Sequence, residues 1–388
     1  MAVDRETPPV VAADEPAMAA RNRPARHPPG WLAVPLLGYG ASRVVQLLVL
    51  GWIRPPHPGG ATVYERLFAW DGDWFLRLAE QGYGRGNGLA FFPAYPLAIR
   101  GVHAVTRLPY PTAALVVSWL AGAAAAVVVY RLGARLYDPR VGAALVVLFC
   151  TQPMSVVLGM AYSEGLFVAF AAGALLAAHR NAWLTAGVLG LAAGLSRPTG
   201  AAVAVALVVG AVLALRNGTP NLPRWRPIVA TAVALCGVPA YLAFVALRMG
   251  TWHAWFDIQT TGWGTTFDAG ASTVRFVAGA LRAEDGWVPV SVALLLVAAV
   301  VSAAMVLGSR VWPPLLVYGL TALVLVVGQS GYFHSKPRLL VPVLVVLLPA
   351  AVTLGRARPR TAVVALAAWA LFGLWYGAHM LMIWPYAI

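Results

Sequence analysis

The sequence has few charged side chains. Asp, Glu, Lys and Arg together make up 11% of its 388 residues, whereas 60% of the residues are hydrophobic. Soluble domains carry roughly 25% charged residues. Several apolar stretches also exceed the ~18 residues that are typical of a membrane-spanning helix. The shortage of charge therefore excludes an ordinary soluble domain and indicates an all-α polytopic membrane protein.

Acidic residues are the scarcest charged type, with 14 against 28 basic ones. The arginines lie in short clusters between apolar segments, which is how membrane proteins set their orientation, and this argues against nucleic-acid binding. Cysteine is nearly absent. Cys150 and Cys236 both fall in apolar runs, where we expect them to pack as small hydrophobic side chains.

The N-terminal segment 1–30 lacks the apolar residues that a folded core requires. Its Pro, Ala, Arg and acidic residues predict a disordered cytoplasmic tail, and it is too polar for a signal peptide. Residues 31–388 are expected to form a single transmembrane domain.

Hydropathy predicts about eleven spans in that domain. They are 31–52, 112–131, 141–158, 162–179, 183–195, 199–215, 227–248, 287–307, 313–328, 338–355 and 361–384. The segment 183–195 is short, so ten spans remain an alternative. The arginines before the first span predict a cytoplasmic N-terminus, which leaves two long loops outside the cytoplasm, 53–111 and 249–286.

Nearly all acidic residues beyond the tail fall on the outer side in this topology; Asp138 is the exception. Glu164 lies at the mouth of a span, where an ionisable group is costly and therefore a functional candidate. The alternative is that Glu164 reaches the interface or caps the helix that follows it.

The first outer loop carries a helical pattern over residues 63–80 that predicts an interfacial amphipathic helix. Asp71 and Asp73 lie within it, between aromatic side chains. Two residues on a helix are separated by about 200°, so the two carboxylates cannot face one site together. One could reach an active centre while the other faces water or a metal. Alternatively, Gly72 breaks the helix and Asp71 caps its second part, or both carboxylates form a solvated face.

Downstream, a Gly-Tyr-Gly turn around Tyr83 precedes residues 90–97, in which two prolines bracket Phe92 and Tyr95. The prolines predict a rigid, non-helical segment at the bilayer surface, either a packing element or a groove for a lipid tail.

Two further segments, 196–200 and 331–338, place cations on the outer side against the charge rule. Arg197 lies in the first, and His334, Lys336 and Arg338 lie in the second. Binding a phosphate at the membrane surface would explain such cations, and contact with lipid headgroups is the alternative.

These segments resemble the PIG-V family of mannosyltransferases, which add the second mannose of the glycosylphosphatidylinositol anchor in eukaryotes and have bacterial relatives. The resemblance rests on Trp-Asp-Gly-Asp-Trp-Phe (70–75), Gly-Tyr (82–83) and Ala-Phe-Phe-Pro-Ala-Tyr-Pro-Leu (90–97), supported by Ala-Tyr-Ser-Glu-Gly-Leu-Phe (161–167) and Gly-Leu-Ser-Arg-Pro-Thr-Gly (194–200). In the last motif Pro-Thr replaces the family's usual Ser-Asn. The matches cover roughly residues 64–200.

The resemblance implies a GT-C-type glycosyltransferase fold with its catalytic acid in the first non-cytoplasmic loop. It implies transfer of mannose, with inversion, from a polyprenyl-phosphate-mannose donor to a glycolipid, glycan or protein. Asp71 is then the base and Asp73 supports it or binds a divalent cation such as Mg²⁺ or Mn²⁺, if one is used. Glu164 would orient sugar hydroxyls. The remaining substrate-binding candidates are Arg197, Lys336 and Arg338 for the lipid phosphate, and His334, Tyr83, Phe92 and Tyr95.

A transporter or lipid flippase is the principal alternative, since it also needs charges within the membrane. The absence of an internal repeat and the collection of charges at one face favour the enzyme. The protein is expected in the cell membrane, or in the endoplasmic reticulum membrane of a eukaryote.

Overall fold

The chain folds into helices joined by short connections. The computed structural model describes residues 30–53, 60–220, 222–283 and 286–388. Most of the predicted tail 1–30, the start of the first loop, and Glu284 and Asp285 of the second loop lie outside these ranges. The α-helices are α1 (Ala33–Trp52), α2 (Val63–Arg66), α3 (Asp71–Gln81), α4 (Ala94–Thr106), α5 (Tyr110–Leu136), α6 (Pro139–Thr151), α7 (Glu164–His179), α8 (Trp183–Gly194), α9 (Gly200–Arg216), α10 (Trp225–Leu235), α11 (Gly237–Met249), α12 (Ala254–Trp263), α13 (Ala271–Ala283), α14 (Trp287–Leu307), α15 (Pro313–Val327), α16 (Lys336–Leu339), α17 (Leu348–Arg356) and α18 (Pro359–Met382).

Each of the eleven hydropathy segments coincides with a helix or a pair of helices. Among the described residues, five helical segments are long and apolar enough to cross a membrane: α1, α5, α10 with α11, α14 and α18. A sixth, Phe333–Leu339 with Leu344–Arg356, is bent by 79° at a short break. The other five, α6, α7, α8, α9 and α15, are apolar but shorter. The chain is a multi-pass membrane protein, and eleven crossings stay a prediction.

The helices of the core approach one another through small residues. Gly165 at the start of α7 faces α5 so closely that an added Cβ would lie 3.1 Å from the backbone nitrogen of Gly122. In lipid, packing rather than the hydrophobic effect holds helices together, and small side chains permit that contact. The start of α7 is therefore held against the middle of α5.

A buried arginine holds the first span in place. Arg43 of α1 donates from Nη1 to the carbonyl of Ser155 at 2.6 Å and from Nη2 to the carbonyl of Cys150 at 2.7 Å. The carbonyl of Cys150 lies in the last turn of α6, where backbone acceptors lack helical partners. Arg43 thus provides hydrogen-bond donors for backbone carbonyls at the junction between α6 and the 3-10 helix Ser155–Leu158.

The amphipathic helix predicted over 63–80 is wrong as a single helix. It is two helices, α2 and α3, separated by residues 67–70. Thr62 and Glu65 cap α2 reciprocally, and α3 begins at Asp71. The break comes at Trp70, whose φ of 55° interrupts the helix. The alternative in which Asp71 opens a second helical part therefore matches the structure, although Gly72 is not the breaking residue.

The non-helical segment predicted for 90–97 is also wrong in its second half, because α4 begins at Ala94. Pro93 is the residue that precedes the helix, and Pro96 lies in its first turn. Backbone N–H groups there have no helical acceptor, so proline breaks no hydrogen bond.

The second predicted outer loop contains α12 and α13, and the residues between these two helices pair with the segment after α15. An isolated antiparallel bridge pairs Phe267 with Gln329. Beside it, the amide of Ser330 donates to the carbonyl of Thr266 at 2.7 Å. This pairing fixes the loop against the segment that carries Lys336 and Arg338.

The predicted topology can be tested with introduced cysteines. Gln81 at the end of α3 and Asn217 after α9 are both exposed, and neither is charged. We expect Gln81→Cys to react with a membrane-impermeant maleimide in intact cells and Asn217→Cys to react only after permeabilisation. Asn217→Cys reacting in intact cells would contradict the orientation.

The background for this experiment is Cys236→Ala without an introduced cysteine. Cys150 is buried as expected, but Cys236 is exposed on the surface of its helix segment. The background variant should remain unlabelled.

Candidate active site

An open cavity of about 330 Å³ lies where the first loop, the second loop and two interruptions between helices meet. Ligand cavities in proteins commonly measure roughly 300–1,000 Å³. Its charged lining residues are Asp71, Arg197 and Arg338, its aromatic ones include Trp70, Trp74, Phe91, Phe92, Trp263 and Tyr332, and its polar ones include Ser163, Gln259, Thr265 and Gln329. Segments that the charge rule places on one side of the membrane thus contribute to one cavity.

Asp71 is presented to the cavity by a strained turn. Trp70 has φ 55° and ψ −110°, a backbone conformation that costs a non-glycine residue about 1–3 kcal/mol. Asp71 follows as the first residue of α3, where the unpaired N–H groups of a helix favour a negative side chain. Its side chain is 25% exposed and keeps access to the cavity.

The segment 161–165 packs against the turn that presents Asp71. The amide of Ala161 donates to the carbonyl of Leu67 at 2.9 Å, and the Tyr162 hydroxyl donates to the carbonyl of Ala69 at 3.1 Å. These bonds hold the segment against the turn that precedes Asp71. Glu164 then opens α7 with a side chain that is 0% exposed.

Arg197 reaches Glu164 from the connection between α8 and α9. Its Nη1 lies 2.7 Å from Glu164 Oε1 and donates to Ser163 Oγ at 3.1 Å. The connection is tight, since a Cβ on Gly200 would come within 2.5 Å of the Gly194 Cα. Both ends of the motif therefore need glycine to bring Arg197 to the cavity.

Arg338 links the two carboxylates. Its Nη1 lies 2.8 Å from Asp71 Oδ2, and its Nε lies 3.4 Å from Glu164 Oε1. The guanidinium also lies over the Tyr162 ring, 5.1 Å from the centroid, a favourable cation–π geometry. We name the alternating row Asp71, Arg338, Glu164 and Arg197 the charge chain. Buried charges are tolerated only when they are paired, and here each has a partner of opposite sign.

Glu164 is enclosed behind the two arginines and is not among the cavity-lining residues. The sequence-based expectation was that Glu164 orients sugar hydroxyls. The geometry instead gives it contacts with Arg197 and Arg338, whose guanidinium groups line the cavity. Glu164 therefore contacts the two guanidinium groups from the side away from the cavity.

Asp73 points away from the cavity, as the helical angle between the two aspartates predicts. It forms an ion pair with Arg77 one turn along α3, at 2.8 Å, and its side chain is 53% exposed. The part of the chain that the structure describes holds no cluster of three or more His, Cys, Asp or Glu side chains suited to a metal. Because both carboxylates of the charge chain are paired with guanidinium groups, this donor set does not fit a protein-held cation.

Lys336 is not brought to the cavity. Its side chain is fully buried, and Nζ donates to Thr273 Oγ1 at 3.0 Å, to the carbonyl of Val326 at 2.8 Å and to the carbonyl of Gln329 at 2.5 Å. An ammonium has three protons, so these contacts use its donor capacity. Lys336 therefore joins α13 to the end of α15, which is a structural position rather than a phosphate contact.

His334 and two of the aromatic candidates also lie outside the lining. His334 packs against the Trp384 ring at 4.8 Å. The Tyr95 hydroxyl bonds to Ser118 and to the carbonyl of Ala114 in α5. Tyr83 donates to the carbonyl of Phe91 at 2.9 Å, and burial raises the pKa of the Tyr83 hydroxyl, which keeps it a donor. Tyr83 and Tyr95 thus hold the scaffold.

Phe92 is the aromatic candidate that does line the cavity. The centroid of its ring lies 4.5 Å from that of Tyr241 in α11, and the Tyr241 hydroxyl donates to the carbonyl of Phe91 at 2.6 Å. The amide of Ala94 donates to the carbonyl of Leu195, which ties this segment to the connection that carries Arg197.

The segment containing this geometry matches a family model. Residues 61–208 match the model of the mannosyltransferases described as PIG-V. Over these residues the chain is similar to the PIG-V mannosyltransferases. The matched residues supply Asp71, Glu164 and Arg197, while Arg338 comes from outside them.

Curated relatives are also similar to part of the chain. GPI alpha-1,6-mannosyltransferase 2 of Mus musculus is 31% identical over 181 residues, which are 44% of this chain and 36% of the relative. GPI mannosyltransferase 2 of Drosophila pseudoobscura pseudoobscura is 35% identical over 119 residues, 28% of this chain and 26% of the relative. The chain therefore spans about a third of the length of the first of these relatives and about a quarter of the second.

The fold is similar to that of ArnT from Cupriavidus metallidurans, seen in one crystal structure bound to undecaprenyl phosphate and in another in the apo state. The TM-score to the bound structure is 0.53 at 16% identity, covering 87% of this chain and 63% of ArnT. This likeness extends well beyond the PIG-V segment. The expected all-α, GT-C-type membrane fold is confirmed.

Several lining residues were not identified from the sequence. Gln259 and Trp263 of α12 and Tyr332 after α15 line the cavity, outside the PIG-V segment. The aromatic content of the loop 249–286 indicated a functional loop, but no motif singled out Gln259. Tyr332 has a left-handed φ of 39°, a conformation that is not expected for a tyrosine.

Glu164→Gln tests the charge chain. Removing a charge from a buried pair while keeping the side chain's shape leaves Arg197 and Arg338 undercompensated, so we expect a loss of about 3 kcal/mol of stability. Thermal unfolding of the purified protein in detergent measures this loss. The matched variant Glu80→Gln changes an exposed carboxylate on α3 and should be nearly neutral. Equal melting of both variants would show that the Glu164 contacts do not stabilise the protein.

Proposed function

We propose that the protein is a membrane glycosyltransferase that moves mannose from a polyprenyl-phosphate donor to an acceptor hydroxyl, at the extracytoplasmic face. The observation that carries this proposal is the charge chain at the cavity. Asp71, the carboxylate of the Trp-Asp motif, is paired with Arg338, and Arg197 lines the same cavity, so that two arginines are available to a phosphate.

The transfer requires a base and a stabilised leaving group. The acceptor oxygen attacks the anomeric carbon of the donor sugar, the bond from that carbon to the phosphate oxygen breaks, and the hydroxyl proton passes to Asp71. A carboxylate in this position acts as a general base. Attack opposite the leaving group converts a β-linked donor into an α-mannoside.

The departing polyprenyl phosphate carries the developing negative charge. Arg197 and Arg338 line the cavity, and a guanidinium group matches phosphate with two parallel hydrogen bonds. Fixed cations placed where charge develops are a principal source of catalytic stabilisation. Glu164 would hold both guanidinium groups in position, so that they need not reorganise during the reaction.

Two considerations support a lipid-phosphate sugar as the donor. Segments of the cavity are expected at the membrane surface, where a lipid-linked sugar would present its phosphate. ArnT, whose fold is similar, has been crystallised with undecaprenyl phosphate, a lipid phosphate of this class. The acceptor is a glycolipid, glycan or protein hydroxyl that enters the cavity beside Asp71.

Asp71→Asn should strongly reduce the rate of sugar transfer while the protein remains folded and inserted in the membrane. A general base contributes roughly 10²- to 10⁴-fold to rate, so the loss should lie in that range. Transfer from radiolabelled polyprenyl-phosphate mannose to membrane lipids and proteins measures the rate.

Asp73→Asn is the matched control, since it makes the same change two residues along α3 on a side chain outside the cavity. It should retain most of the activity. Undiminished transfer by Asp71→Asn would remove the base assignment. No transfer from any polyprenyl-phosphate sugar, together with measurable solute flux, would identify a transporter instead.

A further inference from the structure

Arg338 is shared between the residue assigned as the base and the buried positioning residue. Its Nη1 is paired with Asp71 at 2.8 Å and its Nε with Glu164 at 3.4 Å, while its side chain lines the cavity. One oxygen of the Asp71 carboxylate is therefore paired with a guanidinium group. The same guanidinium group is the one that an incoming phosphate would meet.

Carboxylate and phosphate groups compete for arginine because both accept the same pair of N–H donors. Glu164 lies behind Arg338 and is fully buried, so no ligand in the cavity displaces it without unfolding the site. Asp71 is 25% exposed and lies on the cavity side. A phosphate would therefore take Arg338 from Asp71 rather than from Glu164.

We infer that Arg338 couples donor binding to release of the base. Without donor, Arg338 holds the Asp71 carboxylate. When the donor phosphate binds, the guanidinium group turns about its contact with Glu164, engages the phosphate and leaves Asp71 free for the acceptor hydroxyl. This inference rests on the proposed function, and it predicts that the donor binds before the acceptor is activated.

The coupling has a thermodynamic signature that does not require catalysis. If phosphate and the Asp71 carboxylate compete for Arg338, each weakens the hold of the other by the same factor. Removing the charge of Asp71 should therefore tighten the binding of a lipid phosphate. Coupling between sites is typically about 5- to 150-fold, and a direct contact at this distance should give roughly tenfold.

Simple repulsion between Asp71 and phosphate would also be relieved by Asp71→Asn, so the test must separate the two causes. A double-mutant cycle does this, because it isolates the part of the effect that passes through Arg338. With Arg338→Gln as the second change, competition for the guanidinium group no longer exists, whereas repulsion persists. Should Arg338→Gln fail to fold, Arg338→Met also removes the charge while it keeps a long side chain at this position.

The experiment measures binding of undecaprenyl phosphate to the full chain in phosphatidylcholine nanodiscs, with undecaprenol as the probe that lacks phosphate. We expect the wild-type protein to bind the phosphate but not the alcohol, Asp71→Asn to bind roughly tenfold tighter, and Asp73→Asn to match the wild type. In the Arg338→Gln or Arg338→Met background, Asp71→Asn should give little further gain in affinity.

Three results would overturn the inference. If Asp71→Asn binds undecaprenyl phosphate no more tightly than the wild type, then Asp71 and phosphate do not compete for Arg338. If Asp71→Asn tightens binding equally when Arg338 is also replaced, then the gain comes from relieved repulsion alone. Both of these leave the proposed function standing, provided that the wild type binds the lipid phosphate. Absence of binding by the wild type and by Asp71→Asn removes the proposed function and the inference with it.

Discussion

The site depends on one guanidinium group that lies between two carboxylates in a largely apolar molecule. Charges cost most where water is scarce, and each member of the charge chain is stable there only because its neighbours carry the opposite sign. The pairing also joins four stretches of chain that are distant in sequence. Asp71 comes from the first loop, Glu164 from the start of α7, Arg197 from the α8–α9 connection and Arg338 from α16.

The helices are interrupted at the points where these side chains are presented. α3 begins after the strained Trp70, α7 begins at Glu164 after a non-helical segment, and Arg338 lies in the bent pair of α16 and α17. Irregular backbone at membrane depth is tolerated where it lines a cavity or is buried in protein. The interruptions therefore allow polar groups to converge without exposing unpaired backbone to lipid.

Much of the site was predictable because charges are so rare in this sequence. An ionisable residue in an apolar chain requires a reason, and this argument identified Asp71, Glu164, Arg197 and Arg338 before their contacts were known. It did not separate Arg338 from Lys336. Two residues on a helix differ by about 200°, so the reasoning that separated Asp71 from Asp73 applies equally to this pair. The structure directs Arg338 to the cavity and Lys336 to backbone carbonyls.

The features that the sequence did not predict depend on tertiary contacts or on conformations unusual for the residue type. A positive φ at Trp70 breaks the helix where glycine would have been the expected signal. The sequence around Tyr95 predicts an aromatic side chain at the surface, yet the Tyr95 hydroxyl forms a hydrogen bond with Ser118 of α5. The burial of Glu164 also depends on its contacts with Arg197 and Arg338, and no local sequence pattern predicts which arginines contact it.

The most direct measurement of the central claim is an electron cryomicroscopy structure of the full chain with undecaprenyl phosphate bound in nanodiscs. We expect the phosphate in the cavity between Arg197 and Arg338, with Glu164 still behind both side chains and the Asp71 carboxylate facing the open part of the cavity. A phosphate seated elsewhere, for example beside Lys336 or on the opposite side of the bilayer from Asp71, would contradict it.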